Sequence, residues 1–98
     1  MPNLNVVATI VAKPGSEETV RAGLSTLAAV SRQESGCVAY DLYESSAAPG
    51  TFVTVEEWTD QGALQAHLET PHLQAALSSI GAHLDGAPAI HPLTPVDV

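Results

Sequence analysis

Between Val55 and His72 the chain reads VEEWTDQGALQAHLETPH, a stretch that gathers its only tryptophan, two adjacent glutamates and two of its four histidines. Histidine titrates near neutrality and can take a proton from a phenol or an alcohol. His67 follows Leu64 by three residues and adjoins Leu68, which puts it on the apolar side of a helical pattern. Two readings stand for it: a satisfied hydrogen-bonding group inside the fold, or a general base facing a pocket. His72 falls in the first turn of the next helix, where the positive end of the dipole favours a neutral imidazole. We read it as a hydrogen-bonding group at the edge of the same site. His83 and His91 are expected at the surface.

The segment before His67 has the period of a strand, so its side chains divide between two faces. Phe52, Thr54, Glu56 and Trp58 share one, and Val53, Val55 and Glu57 the other. A face that mixes aromatic and polar groups suits a pocket lining, with Trp58 as a flat wall; a tryptophan closing the core is the alternative. Glu56 and Glu57 point apart and cannot act as a paired-carboxylate site. Glu56 is expected to face the helices and to bond a histidine or a helix terminus, and Glu57 to lie at a rim. Tyr40 and Tyr43 also point apart, so one at most joins Trp58. Asn5 is a weaker polar candidate. The expected site is therefore His67 as base, with Trp58, Thr54, Glu56, Tyr40, Phe52, His72 and Asn5 around a ligand.

Other chemistries lack their residues. His67 and His72 are five apart across Pro71, not four apart on one helix, and Cys37 is the only cysteine, so no dedicated metal site is expected. There is no glycine loop to cradle phosphate and no nucleophile elbow; no cofactor is expected. Three Lys+Arg against eleven Asp+Glu give a net charge of −8, which repels nucleic acid and anionic membrane surfaces. No apolar run reaches transmembrane length. The N-terminus lacks a basic region and a cleavage pattern, so a cytoplasmic location is expected.

The elements that would position the site follow from periodicity and punctuation. Leu4 to Ala12 reads as a strand, apolar enough for burial on both faces. Lys13-Pro14-Gly15 turns the chain. Ser16 offers an N-cap for a helix from about Glu17 to Glu34, carrying Val20, Leu24, Leu27, Ala28 and Ser31 and ended by Gly36. Cys37 to Glu44 and Thr51 to Trp58 form a hairpin. Asp60 caps a short helix; Thr70 and Pro71 start another with Leu73, Ala76, Leu77, Ile80 and Leu84 inward. The tail alternates but holds Pro92 and Pro95, which confine it to an edge. The 98 residues thus form one domain (1–98) of the α+β class, a ferredoxin-like split βαβ with an antiparallel sheet. Charged residues are only 14% of the chain. That deficit, with apolar residues on both sheet faces, predicts a homodimer.

Glu56-x-Trp58 followed by A-L-x-x-H-L-x-T-P-H at Ala63 to His72 resembles the antibiotic biosynthesis monooxygenase family, in its small quinol-monooxygenase-like branch. Lys13-Pro14-Gly15, Gly36-Cys37 and the strand-two tyrosines fit as well. The resemblance implies a dimeric α+β barrel with a pocket between sheet and helices. It also implies oxidation of a small aromatic quinol or polyphenol by O₂ without metal, flavin or haem, with Trp58 as pocket wall and His67 as base or anchor. Leu77 stands where a haem-degrading branch has its histidine ligand, and Thr54 where polyketide-oxidising members have asparagine. A non-catalytic ligand-binding or stress-associated dimer, and a non-oxidative isomerase, are the alternatives.

Overall fold

A computed structural model of the chain describes residues 3–98. The elements run β1 (Leu4–Val11), α1 (Glu17–Ser31), β2 (Cys37–Glu44), β3 (Thr51–Trp58), α2 (Gln61–Leu68), α3 (Pro71–Ile80), a 3₁₀ turn at Gly81–His83 and β4 (Ala89–Pro92). All neighbouring strands are antiparallel, in the order β2-β3-β1-β4. This is the ferredoxin-like α+β fold. Register is set by the apolar alternation: Val6 lies opposite Glu56, Ala8 opposite Thr54 and Ile10 opposite Phe52. All six are buried, because that face meets the helices. A one-residue slip would send all of them to the other side.

The opposite face is open in the single chain. Val11, Val55 and Tyr43 are 39%, 44% and 57% exposed, so β1 is buried on one face rather than two. β4, which carries Pro92, is an edge strand, as a proline there requires. It pairs with β1 from Ala89 to Pro92, at the margin of the sheet.

Four local expectations need correction. α1 ends at Ser31, and Arg32 to Gly36 form a turn in which the Glu34 N–H bonds the Ser31 carbonyl. Gly36 is not a helix cap and has no positive φ. Its missing side chain lets the turn approach α2: a Cβ there would lie 2.4 Å from the Ala63 Cβ. Leu84 lies beyond α3, after the 3₁₀ turn, and bridges to Ala12 past the end of β1. Ser16 occupies the N-cap of α1 without a side-chain cap bond. Its hydroxyl instead sits 3.1 Å from Nδ1 of His83, which makes that histidine half-buried, not a surface group.

Candidate functional site

The inner sheet face is polar at one end. On β3 the side chains of Thr54, Glu56 and Trp58 form a chain of their own. The Thr54 hydroxyl donates to one oxygen of Glu56 at 2.6 Å, and the Trp58 indole N–H donates to the other at 2.9 Å. Both carboxylate oxygens of a residue only 5% exposed are thereby satisfied, which burial of such a group demands. Glu56 faces the helices as expected, but its partners are its own strand neighbours, not a histidine or a helix end.

His67 comes from α2. Asp60 caps that helix by accepting from the Ala63 N–H at 2.8 Å. The Thr70 hydroxyl donates to the His67 carbonyl at 2.8 Å and accepts from the Leu73 N–H, tying the end of α2 to the start of α3. That joint fixes His67 and His72 relative to each other. Both rings reach the same carboxylate oxygen of Glu34, Nδ1 of His67 at 2.7 Å and Nε2 of His72 at 2.7 Å. Side-chain exposure rises along the set, from 4% at His67 through 14% at Glu34 to 26% at His72.

Glu34 was not legible as a site residue. It lies 33 positions before His67, in what the periodicity assigns to the last turn of a helix. Only the early end of α1 swings its carboxylate toward α2.

The His67 ring packs against Trp58 with centroids 4.6 Å apart and against Tyr40 at 5.7 Å. With Nδ1 donating to Glu34, Nε2 of His67 carries a lone pair. Among the described residues only the Ser31 hydroxyl is buried without a partner. Nε2 bonds no other group there, so it has an open side.

His67 lines a cavity of about 290 Å³ between sheet and helices. Tyr40, Thr54, Glu56 and His67 line its polar end; Leu24, Leu77, Ile80 and Ile90 belong to its apolar wall. The volume is at the lower end for small-ligand sites. Burial first, and the Glu56 charge second, hold the Tyr40 phenol well above its ordinary range, so it is a neutral hydroxyl that can donate. Burial and the carboxylates of Glu34 and Glu56 likewise raise Cys37, which keeps that thiol protonated and a poor nucleophile.

The remaining expected residues sit elsewhere. Trp58 and Phe52 are 0% and 1% exposed and are not part of the cavity lining. Trp58 stands behind His67 and Tyr40 as a backing, not as a wall, and Phe52 belongs to the aliphatic core. His72 touches Glu34 but not the cavity. Asn5 pairs with Glu57 on the outer face and is exposed, so it is outside the site. Pro88 and Ile90, from the tail, close the cavity; their alternation signalled a strand but not which face would meet it.

Comparison with known proteins shows the family and the fold. A family model described as antibiotic biosynthesis monooxygenase matches residues 4–78. The Mycobacterium tuberculosis protein Rv0793 is 34% identical over 92 residues, 94% of this chain and 90% of that protein. Its structure superposes with a TM-score of 0.88, covering 98% of this chain and 97% of that one. A crystal structure described as an antibiotic biosynthesis monooxygenase has a TM-score of 0.88 at 34% identity over 96% of this chain and 99% of its own. The Escherichia coli protein named "Probable quinol monooxygenase YgiN" is 30% identical over 82 residues, 74% of this chain and 79% of that protein.

Proposed function

The chain belongs to the antibiotic biosynthesis monooxygenase family, and from that premise we propose that it oxidises a small quinol or polyphenol with O₂ and no cofactor. The observation that carries the reading is His67 at the cavity, its Nδ1 held by Glu34 and its Nε2 free. Nε2 takes the phenolic proton of the substrate, and the imidazolium so formed is held by the Glu34 carboxylate. The ionised, electron-rich ring then reduces O₂ itself. For a benzene-1,4-diol, one oxygen atom enters the ring and the other leaves as water, giving a hydroxyquinone. Tyr40 donates from its neutral hydroxyl to a substrate or dioxygen oxygen. The aliphatic walls exclude water, and orientation in the cavity supplies the rest. Glu56, lacking a cation partner among the described residues, disfavours a second negative charge beside it. It would press the substrate's ionising hydroxyl toward His67.

The reading includes a homodimer in which the outer sheet faces of two copies meet. Exposed Val11, Val55 and Tyr43 with half-buried Val7 and Val53 support it, as does the low charge content. The tail after β4, which itself pairs with β1 of its own chain, would reach the partner. Sedimentation at micromolar concentration should give twice the chain mass; a folded monomer there removes the dimer.

The deciding measurement is oxygen uptake by chelator-treated protein with a panel of hydroquinones. Uptake above autoxidation with at least one of them is expected. Uptake at the autoxidation rate with all would leave a ligand-binding module.

A further inference from the structure

We propose that Glu34, His67 and His72 form a site for one divalent transition-metal cation, adjoining the cavity through His67 and able to switch off the base there. Spacing along the sequence argues against a site because the two histidines are not on one helix. The fold removes that objection by bringing in a third ligand from the turn after α1. Nδ1 of His67, Nε2 of His72 and a Glu34 oxygen all lie within 4.8 Å of one another. Two imidazole nitrogens and one carboxylate suit zinc, cobalt or nickel, and do not suit the oxygen-seeking magnesium or calcium. Three protein ligands with an open position is also the number that non-structural zinc sites use.

The contacts of 2.7 Å are hydrogen-bond lengths. A tetrahedral cation about 2.1 Å from each ligand sets them about 3.4 Å apart, so the two contacts must open by roughly 0.7 Å. Glu34 has that freedom, because its side chain extends from a turn. The half-exposed His72 supplies the entry side. On the inner side the His67 ring is fixed by Trp58 and Tyr40, so its nitrogen is already aimed.

Proton bookkeeping gives the consequence. Without metal, Nδ1 of His67 faces the Glu34 carboxylate, which only accepts, so Nδ1 is the donor and Nε2 is left free. A cation on Nδ1 needs that lone pair, so the proton moves to Nε2. The atom facing the cavity changes from acceptor to donor, with no electron transferred and no proton lost from the ring. The inference thus stands apart from the oxidation: the site exists whether or not the cavity turns over a quinol.

Trp58 is the only tryptophan, and its ring lies 4.6 Å from that of His67, so it reports occupancy. Tag-free, chelator-treated protein is titrated with cobalt(II), followed by Trp58 fluorescence, and with redox-inert zinc(II), followed by calorimetry. One ion per chain with saturable quenching is expected. Glu34→Gln and His72→Gln should each weaken it about tenfold or more, and His91→Ala should leave it unchanged. Circular dichroism checks each variant, and His72→Gln decides alone if Glu34→Gln is misfolded, because His72 is at the edge of the fold. Absence of saturable binding below millimolar metal, binding indifferent to His72→Gln, or binding lost with His91→Ala would each overturn the site. Zinc should further stop hydroquinone-dependent oxygen uptake, and chelator should restore it. That arm rests on the proposed oxidation and fails separately from the binding.

Discussion

Phe52 and Trp58 stand on the same face of the same strand, both all but inaccessible, in two parts of the interior with different rules. Phe52 joins Ile10, Val20, Leu24, Leu27 and Ile80, with the Arg21 guanidinium 5.4 Å from its ring centre. No polar side chain need be satisfied there, and any set of aliphatic groups filling the volume would serve. Trp58 joins Val6, Ala28, Tyr40 and Leu64, but the buried Glu56, Thr54 and His67 sit among them. Each of those needs a partner at a fixed angle, and each has one. Burial alone therefore does not separate core from site in this chain. What separates them is whether the buried groups constrain one another through directional bonds. The aliphatic end carries the larger share of stability, and the polar end carries the geometry.

Substitutions should separate the two ends. His67→Ala is expected to lower quinol-dependent turnover by roughly two to four orders of magnitude while the fold persists. His67→Gln distinguishes the two roles, because it keeps a hydrogen-bonding group and cannot take a proton near neutral pH. Steady-state oxygen uptake on folded dimer measures both. Gln recovering the rate that Ala loses would make His67 an anchor and would merge the two ends into one kind of core. At the aliphatic end Phe52→Ala should cost about 3–5 kcal/mol in urea denaturation, with any activity change explained by the fraction folded. A Phe52→Ala protein of wild-type stability would mean that the aliphatic end collapses around the gap.

Gly36→Ala tests the joint between them. The added methyl would stand 2.4 Å from the Ala63 Cβ, a carbon anchored to the α2 backbone, so α2 must shift or the turn must open. An overpacking cost of about 1–3 kcal/mol is expected. Because α2 carries His67 and the turn carries Glu34, the rate should fall by more than the loss of folded protein explains.

The fold was legible because its signals are local. The Val-rich run of β1, the hairpin glycine Gly50 and the caps Asp60 and Thr70 each act within a few residues. The candidate site was legible only as far as one strand and one helix present it: the placement of His67, Thr54 and Glu56 at the cavity follows from alternation and helical spacing. Glu34 was not, since the turn that frees it depends on Gly36 meeting Ala63 across the fold. Trp58 misled as a wall because periodicity gives a face but not a depth, and whether a ring borders a cavity or backs it depends on helices that the strand pattern does not contain. Asn5 failed for a simpler reason: it shares strand parity with Val7, on the outer face.

The smallest effect is expected where α1 passes from one end to the other. Ser31 is fully buried, and its hydroxyl is the one buried side-chain polar atom without a partner among the described residues. Three residues later Glu34 begins the network of the polar end. A buried hydroxyl that bonds nothing is a cost, and its removal also substitutes a better helix former. Ser31→Ala should therefore raise stability by about 0.5–1 kcal/mol in urea denaturation, and oxygen uptake should be unchanged. A loss of stability or of rate would mean that the hydroxyl serves the network through ordered water. The polar end would then extend a full helical turn farther into α1, and the boundary drawn at Glu34 would be misplaced.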